Sequence, residues 1–349
     1  MSRLVRVGAG IILIAALASC SLFDYSGVVP KKYALVYGVT NYISTSDPNW
    51  HSYNDPNLTY PDADAQDVAA MLRQKGYAVL LRYVDGMGME WLATPSSTIP
   101  QNVGDIATDP SGTNGPSRAN ITQDLTSYFA GVIGPDDLFL FYFSGHGMQD
   151  GYTTPTREYI IPLGGVVWVP GAGKFEGEPS LSVRDDELGS SLMLGMLQTP
   201  RKVVILDTCN SGGFIGNRLE TDITPAAYKG AVPQVTPLTI QQALINYASF
   251  QMSRTGIGPS TAQVISAAGS DESSYETAAP FNHGIMTYYL LETPTKADLN
   301  GDKTVTVLEA FSFMKAGIET GWNLDPSVAA LGETFSPHVS GGPVDFALF

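Results

Sequence analysis

The chain of 349 residues is 44% hydrophobic and 15% charged, it contains 36 glycines and 23 prolines, and its formal net charge is −15. This composition excludes a disordered chain and a helical bundle, and it indicates one large α/β domain with many loops. The acidic balance also argues against a nucleic-acid partner, because phosphate binding requires clustered Lys and Arg side chains.

The N-terminus has the features of an export signal. Arg3 and Arg6 precede an apolar run over residues 7–18, which is shorter than a comfortable membrane span. The run leads into the residues LASC, which end at Cys20 and resemble the lipobox of bacterial lipoproteins. In those proteins the chain is cleaved just before the Cys, whose thiol then carries the lipid.

We therefore expect a signal peptide over residues 1–19, a lipid on Cys20 that anchors the protein in a membrane of the bacterial cell envelope, and a tether over residues 20–31. The alternative is an ordinary signal peptide with an incidental Cys. Once Cys20 is lipidated, Cys209 is the only other cysteine, so the mature chain cannot form an internal disulfide. A lone thiol kept in an oxidising compartment is a candidate nucleophile.

The rest of the chain alternates predicted strands with predicted helices. Apolar runs predict strands at residues 33–39, 78–84, 137–143, 158–162, 202–207 and 263–267. Helices are predicted from Pro61 to the closing Gly76 and at 120–133, 186–196, 239–250, 284–292 and 306–318. This alternation predicts a mostly parallel central sheet with helices on both faces, which is an α/β fold.

The sequence also predicts two long insertions and the N-cap of one helix. The stretch 85–118 is rich in Gly, Pro, Ser and Thr and predicts a long inserted loop, and a second insertion is predicted at 213–262. The helix at 120–133 has Asn120 as its predicted N-cap, with Gln123 at the capping-box position.

Two predicted strands run into small, glycine-rich turns that present a reactive side chain. Strand 137–143 is followed by the residues SGHG, which contain His146, and strand 202–207 ends at the Asp of DTCNSG, which contains Cys209. In open α/β sheets, functional groups gather beyond the carboxyl ends of the strands. An imidazole can accept the proton of a neighbouring thiol, and the N–H groups of a tight turn can stabilise an oxyanion. Either residue alone is more often structural, so the prediction depends on their joint placement.

Together, the two turns resemble the His and Cys motifs of the caspase and metacaspase cysteine peptidases. The resemblance runs in order over residues 32–318 and includes the segments 182–188, 264–268 and 271–276. It implies a three-layer sandwich domain over 32–320, on which a C-terminal extension over 321–349 packs. It also implies that Cys209 attacks the scissile carbonyl of a peptide or protein substrate, with His146 handling the protons and no cofactor required.

The same resemblance implies an oxyanion site and a substrate pocket. The N–H groups of Gly147 and Cys209 are the candidate oxyanion donors. Caspases select Asp with a basic pocket, whereas metacaspases select Arg or Lys with an acidic one. The metacaspase pocket positions fall here on Asp67, Ser144 and Asp207.

Asp64 lies where metacaspases often have a Cys, and it shares one face of the first predicted helix with Asp67, since the two are three residues apart. Carboxylates without an evident basic partner suit a guanidinium, which pairs with them bidentately. The alternative is that acids in a first helical turn complement the helix dipole. That alternative does not explain Asp207, so we expect a preference for Arg or Lys.

Two calcium sites are also predicted. Residues 298–309 resemble an EF-hand loop, in which Lys303 replaces the usual Gly at position 6 and weakens the expected affinity. Its candidate ligands are Asp298, Asn300, Asp302, the carbonyl of Thr304, Thr306 and Glu309. A helix-capping loop without an ion is the alternative. The resemblance to metacaspases implies a second site at Asp185 and Asp186, where the other two family positions fall on Gly164 and on residues 216–217.

Metacaspases are often cut after a basic residue in the segment that follows the catalytic Cys. Here the segment 213–262 contains Arg218, Lys229 and Arg254 as its basic residues, and these are the expected self-cleavage positions. We expect a monomer. The main alternative function is a non-catalytic caspase-fold lipoprotein that binds or scaffolds a partner, and a calcium-dependent adhesin is a further alternative.

Overall fold

The computed structural model describes residues 29–149, 157–190, 193–209, 262–269, 272–339 and 345–349. The chain divides into two units, residues 1–31 and residues 32–349. The predicted lipidation site Cys20, the predicted helix at 239–250 and the three expected self-cleavage positions lie outside the described residues. Within them, no helix has both the length and the apolar character needed to cross a bilayer.

The strands and helices are numbered here in chain order. The strands are β1 (Lys32–Val39), β2 (Tyr77–Val84), β3 (Met89–Thr94), β4 (Ser97–Asp105), β5 (Leu138–Ser144), β6 (Gly147–Gln149), β7 (Glu158–Ile160), β8 (Val166–Val169), β9 (Lys174–Gly177), β10 (Val183–Arg184), β11 (Arg201–Asp207), β12 (Gln263–Ser266), β13 (Glu276–Thr277), β14 (His283–Gly284) and β15 (His338–Val339). The α-helices are α1 (Pro61–Gln74), α2 (Arg118–Gln123), α3 (Asp185–Leu188), α4 (Ile285–Lys296), α5 (Val307–Thr320) and α6 (Pro326–Leu331).

Eight strands form the central sheet in the order β15-β12-β11-β5-β1-β2-β3-β4. The five strands from β12 to β2 are parallel, and the outer strands β15, β3 and β4 are antiparallel to their neighbours. Strands β5 and β12 are buried along their whole length, as expected for continuous apolar runs covered on both faces. The mostly parallel sheet and five of its predicted strands are therefore confirmed, whereas the predicted strand at 158–162 is β7, which pairs antiparallel with β6 and β10 in a separate three-stranded sheet.

Two hydrophobic clusters lie on opposite faces of the sheet. Along β1, Ala34 and Val36 belong to the first cluster, whereas Leu35 and Tyr37 belong to the second, as the alternation of a strand requires. The first cluster includes apolar residues of α1, α4 and α5, and the second includes apolar residues of the segment 121–133 and of α3. The fold is a three-layer α/β/α sandwich.

The prediction of one long loop over 85–118 is wrong, because β3 and β4 form an antiparallel hairpin that extends the sheet beyond β2. A tight turn connects β2 to β3, in which Asp85 Oδ1 accepts hydrogen bonds from the N–H groups of Met87 and Met89. Gly88 has φ 83° in this turn, a conformation that favours glycine. The hairpin lies at the sheet edge, where β3 is mostly half-buried and β4 is half-buried or exposed, so its sequence lacks the continuous apolar runs that marked the central strands.

The predicted helix at 120–133 begins earlier and is not regular. Ser117 is the N-cap of α2, since its Oγ accepts a hydrogen bond from the N–H of Asn120 at 3.4 Å. The side chain of Asn120 instead donates to the carbonyls of Thr113 and Gly115, so it cannot cap the helix. A π-helical segment, Asp124–Phe129, continues the helix.

The predicted helix at 186–196 is also shorter than expected. It is α3, which ends at Leu188 with Gly189 as its C-cap, and a separate 3₁₀ turn follows at Leu194–Met196. The short length follows from the local sequence, because two glycines, Gly189 and Gly195, interrupt the apolar positions that suggested one continuous helix.

The residues after α5 return to the sheet. Strand β15 pairs with the edge of β12 through His338 and Val339. The last residues, 345–349, lie against the start of α5, where Leu348 N donates to the carbonyl of Val305 at 2.8 Å. Lys32 Nζ, at the start of β1, donates to the carbonyl of Leu348 at 2.8 Å. These bonds join the end of the described chain to the first strand of the sheet.

Substitution of Gly38 tests how closely β1 packs against α1. A Cβ at this position would lie 2.1 Å from the carbonyl oxygen of Pro61 and 2.7 Å from Ala65 Cβ. We therefore expect Gly38→Ala to lower the free energy of unfolding by about 1–3 kcal/mol, because the helix backbone must move away from the strand. Gly131→Ala is the matched control, since its Cβ would meet nothing within 4 Å. Urea denaturation of both variants measures the difference, and equal stabilities would contradict the close packing.

Candidate active site

The adjacent parallel strands β5 and β11 bring the two glycine-rich turns together. Their register pairs Ser144 with Asp207, and Gly145 N donates to the carbonyl of Asp207 at 3.3 Å. His146 and Cys209 each follow this pair by two residues. A Cβ on Gly147 would lie 2.1 Å from the carbonyl oxygen of Cys209, so only glycine allows this approach. The predicted dyad residues thus lie on neighbouring turns at one edge of the sheet.

The His146 ring is held by two residues that the sequence did not single out. Its Nε2 lies 2.7 Å from the carbonyl oxygen of Pro56, and its ring packs on Tyr42 with the centroids 4.9 Å apart. The backbone N–H of His146 also donates to Tyr42 Oη at 2.7 Å. A carbonyl oxygen only accepts hydrogen bonds, so Nε2 carries the proton and Nδ1 of the neutral ring keeps a lone pair.

Burial sets the protonation state of His146. Burial lowers the pKa of His146 below its usual 6.5, although the hydrogen bond to Pro56 and the charge of Glu276 oppose this shift. The neutral ring therefore predominates at neutral pH. A neutral imidazole with its lone pair on Nδ1 has the form that a general base requires.

Glu276, on β13, connects the Pro56 loop to the rest of the site. Its two carboxylate oxygens accept hydrogen bonds from the backbone N–H groups of Thr59 and Tyr60, at 2.7 and 3.0 Å. These two residues immediately precede α1 and follow Pro56 closely along the chain. Sequence analysis gave Glu276 no role, because its partners are backbone groups that are distant in sequence.

The Cys209 thiol is partly buried at the end of β11. Its Sγ lies 3.6 Å from the carbonyl oxygen of Ser274, within reach of a weak S–H hydrogen bond. The segment that contains Ser274 leads directly into β13. The thiol therefore lies against the segment that leads into the hairpin of β13 and β14, while the backbone of Cys209 lies against Gly147.

The backbone N–H of Gly147 is not used by the ladder between β6 and β7. Gly147 pairs with Ile160 in the antiparallel β6–β7 ladder, and the flanking bond runs from Ile161 N to the carbonyl of His146 at 2.9 Å. This pattern marks a non-hydrogen-bonded pair, in which the N–H of Gly147 points away from β7. The N–H group is thus suited to an oxyanion beside Cys209.

Three of the four predicted pocket residues meet in a buried cluster. Ser144 Oγ donates to Asp64 Oδ2 at 2.8 Å. Asp207 Oδ2 accepts hydrogen bonds from the N–H and the hydroxyl of Thr287, at 3.0 and 2.6 Å. Gly284 lies between the carboxylates, since a Cβ there would be 2.4 Å from Asp207 Oδ2 and 3.0 Å from Asp64 Oδ2.

The fourth residue, Asp67, reaches the cluster through a residue that the sequence analysis missed. His283 Nδ1 lies 2.9 Å from Asp64 Oδ1, and His283 Nε2 lies 3.5 Å from Asp67 Oδ2. The premise that these carboxylates lack a basic partner is therefore wrong. His283 is 219 residues from Asp64 along the chain, so only the fold shows the contact.

The buried carboxylates bind protons more tightly than usual. Burial, and then the neighbouring charge of Asp64, raise the pKa of Asp207 to about 7. Burial also raises the pKa of Asp64, although the hydrogen bonds from His283 and Ser144 oppose it. Such perturbed groups, gathered beside a thiol and an imidazole, are typical of a functional site.

The EF-hand-like loop has an ordered backbone. Asp298 accepts hydrogen bonds from the N–H groups of Gly301 and Lys303, at 2.8 and 2.9 Å, and Lys303 has φ 71° at the position where glycine is usual. The side-chain oxygens of Asn300 and Asp302 each accept a bond from the N–H two residues ahead.

Thr306 and Glu309 form the capping box of α5. Among the residues that the structure describes, no three His, Cys, Asp or Glu side chains are grouped as a metal ion would require. Calcium binding by the loop, with the carbonyl of Thr304 among its ligands, therefore stays a prediction.

The structure describes Asp185 and Asp186 of the second predicted calcium site. Asp185 is 3% exposed, and its Oδ1 accepts a hydrogen bond from the N–H of Asp186. Asp186 forms an ion pair with Arg184. Calcium binding at this second site also stays a prediction.

A model of the caspase domain matches residues 31–323. The protein belongs to the caspase domain family of peptidases. Among curated proteins, metacaspase-3 of Trypanosoma cruzi (strain CL Brener) is 30% identical to it over 115 residues, which are 31% of this chain and 30% of that protein. The chain thus matches less than a third of the length of this metacaspase. The family assignment made from the sequence is confirmed.

Two crystal structures are among the structural matches of this caspase-family chain. One is a protein from Geobacter sulfurreducens, which is 18% identical, has a TM-score of 0.47, and is aligned over 91% of this chain and 93% of its own. The other is caspase-1 from Spodoptera frugiperda, which is 9% identical, has a TM-score of 0.42, and is aligned over 89% of this chain and 88% of its own.

The raised pKa of Asp207 predicts a stability that depends on pH. Because the folded chain favours the protonated acid, stability is lost as the pH rises from the ordinary value of 3.8 through about 7. We expect Asp207→Asn to raise the melting temperature by a few degrees above that pH and to change it little under acid conditions. Asp136→Asn, at an exposed carboxylate, is the control. Calorimetry across this pH range measures both variants, and a destabilised Asp207→Asn at high pH would contradict the prediction.

Proposed function

We propose that this caspase-family protein is a cysteine endopeptidase that uses Cys209 as nucleophile and His146 as general base, with a preference for Arg or Lys before the scissile bond. The observation that supports the dyad most strongly is the packing of the two turns, in which Gly147 lies against the backbone of Cys209. The hydrogen bond from Nε2 to Pro56 further supports it, because it leaves the basic nitrogen of His146 for the thiol.

In the proposed reaction, the Cys209 thiol gives its proton to Nδ1 of His146 and the sulfur attacks the scissile carbonyl. The N–H groups of Gly147 and Cys209 stabilise the tetrahedral oxyanion. The C–N bond then breaks, and the leaving amine takes the proton from His146. Water, deprotonated by the same imidazole, hydrolyses the thioester and restores the thiol. These steps require no cofactor.

The acidic cluster supports the proposed preference for a basic side chain. Asp207 and Asp64 lie at the end of β11 and on α1, next to the turn that carries Cys209, and Asp67 adds a carboxylate that is 60% exposed. A substrate guanidinium carries the complementary charge and can form paired hydrogen bonds with carboxylates. Ser144 adds a hydroxyl bonded to Asp64.

The N-terminal lipid anchor on Cys20, the placement in the cell envelope and the monomeric state stay predictions. They complete the proposal of an exported lipoprotein peptidase that acts on peptide or protein substrates. The alternative of a non-catalytic binding protein predicts a folded chain whose Cys209 does not react with peptide electrophiles.

Substitution of the dyad tests the proposed chemistry. We expect Cys209→Ala to abolish hydrolysis of fluorogenic Arg peptides, and His146→Ala to lower kcat/KM by about 10²–10⁴-fold, because proton transfer is lost. His51→Ala is the matched control, since His51 is exposed and stacks on Tyr53. The lowered pKa of His146 further predicts that protonation of this imidazole lowers kcat/KM only below pH 6.5. Turnover by purified Cys209→Ala would disprove the proposal.

Self-cleavage gives a separate test of the pocket. If the pocket binds basic side chains, incubated protein should be cut after Arg218, Lys229 or Arg254, and the two arginines should be preferred because a guanidinium matches paired carboxylates. Mass spectrometry of wild-type protein beside Cys209→Ala identifies the cuts. Cuts after Asp, with Arg peptides left intact, would overturn the pocket assignment and leave the dyad in place.

A further inference from the structure

The acidic pocket already contains a basic group that belongs to the chain itself. The imidazole of His283 lies between two carboxylates, with Nδ1 2.9 Å from Asp64 Oδ1 and Nε2 3.5 Å from Asp67 Oδ2. The His283 side chain is only 13% exposed, whereas that of Asp67 is 60% exposed. The ring therefore lies behind Asp67 and against the buried Asp64.

The hydrogen bonds of Asp64 show which contact an incoming side chain must displace. Asp64 Oδ1 accepts bonds from His283 Nδ1 and from Gly284 N, at 2.9 and 3.1 Å. Its Oδ2 accepts a bond from Ser144 Oγ at 2.8 Å. A guanidinium needs two acceptor oxygens in its plane, so it can use Asp64 only if the His283 ring moves away.

The backbone at this point is fixed, so the ring is the part that can move. His283 and Gly284 form β14, which pairs with Glu276 and Thr277 and leads directly into α4. Gly284 fits between Asp64 and Asp207 so closely that a Cβ would overlap both carboxylates. Displacement of His283 would therefore require rotation of its side chain.

We infer that His283 is a specificity-determining residue that competes with the basic side chain of a substrate for Asp64 and Asp67. Protonated His283 occupies both carboxylates and closes the pocket to Arg and Lys. Neutral His283 keeps its Nδ1–H bond to Asp64 but turns a lone pair towards Asp67, which is then available to the substrate. The inference rests on the proposed peptidase function, because it assigns the selectivity of that site.

The charges around His283 come from several elements. Asp64 and Asp67 belong to α1, Asp207 ends β11, and Glu276 lies opposite Gly284 in the hairpin. Burial lowers the pKa of His283, but the hydrogen bond and charge of Asp64, followed by the charges of Asp67 and Asp207, outweigh burial and raise it above 6.5. The ring is therefore charged under mildly acidic conditions and loses its charge as the pH rises.

The carboxylates titrate as well, so a pH profile of the wild type alone does not isolate the histidine. Protonation of Asp64 and Asp207 at low pH would also weaken a cationic ligand, because both have a raised pKa. Replacement of His283 by Asn separates the two effects. The Asn amide can still donate to Asp64 in the place of Nδ1, but it cannot carry a charge or reach Asp67.

The test measures the affinity for benzamidine, an isolated cationic amidine, by calorimetry between about pH 5.5 and about pH 8.5. We expect His283→Asn to bind benzamidine about tenfold more tightly than the wild type at the low end of this range, and the difference to shrink as the pH rises. His283→Lys keeps a permanent cation, so it should bind weakly at every pH. His51→Asn is the control and should match the wild type. Thermal melting checks that each variant is folded.

Equal affinities of wild type and His283→Asn at low pH would overturn the inference. Weaker binding by His283→Asn would also overturn it and would make the ring a support for Asp64. Absence of benzamidine binding in every variant would remove both the cation pocket and the competition. Labelling of Cys209 by iodoacetamide is measured in parallel, because it reports the thiol alone. If Cys209 is labelled but benzamidine does not bind, the peptidase proposal stands and the inference about His283 fails. If benzamidine binds but Cys209 is unreactive, the peptidase proposal fails and the competition between His283 and a cationic ligand stands.

Discussion

The register between β5 and β11 is the constraint on which the rest of the site depends. It pairs Ser144 with Asp207, so each residue two positions further on is presented at the same edge of the sheet. The contact of Gly147 with the carbonyl of Cys209 then fixes the distance between the two turns. A slip of one residue would turn the side chains of β11 to opposite faces and exchange the residues of the two hydrophobic clusters. The apolar core on both faces of the sheet therefore specifies the position of the thiol.

The second constraint is the burial of carboxylates close to each other. Asp64 is 1% exposed and Asp207 is 5% exposed, and burial of charge without compensation is costly. The chain compensates with donors from three elements: Ser144 on β5, His283 on β14 and Thr287 on α4. Even with these donors, the pKa of Asp207 remains raised to about 7. Part of the free-energy cost of burying these carboxylates therefore remains uncompensated, which is common at functional sites.

Much of this arrangement was predictable because it follows from local sequence. The buried strands were continuous apolar runs, and the glycine-rich turns that contain His146 and Cys209 followed two of them directly. Three of the four pocket positions also proved to be neighbours. The edge hairpin of β3 and β4 was missed, because these partly buried strands lack the continuous apolar run that marks central ones.

The groups that hold the site together could not be predicted in the same way. The partner of His146 is the backbone carbonyl of Pro56, and a carbonyl has no side-chain identity to recognise in a sequence. The partner of Asp64 is His283, which is 219 residues away, and the hairpin that presents it has two-residue strands. Such contacts depend on tertiary packing, which periodicity and composition do not encode.

Glu276 connects the backbone before α1 to the hairpin that carries His283. One carboxylate oxygen binds the N–H of Thr59 and the other binds that of Tyr60, while the strand that carries Glu276 pairs with the strand of His283. A shift of this hairpin therefore shifts the backbone before α1, and with it the Pro56 carbonyl that orients His146. Under the proposed function, the choice of ligand and the alignment of the imidazole would therefore be linked through Glu276. Evolution or engineering that reshapes this hairpin would then alter reactivity as well as selectivity.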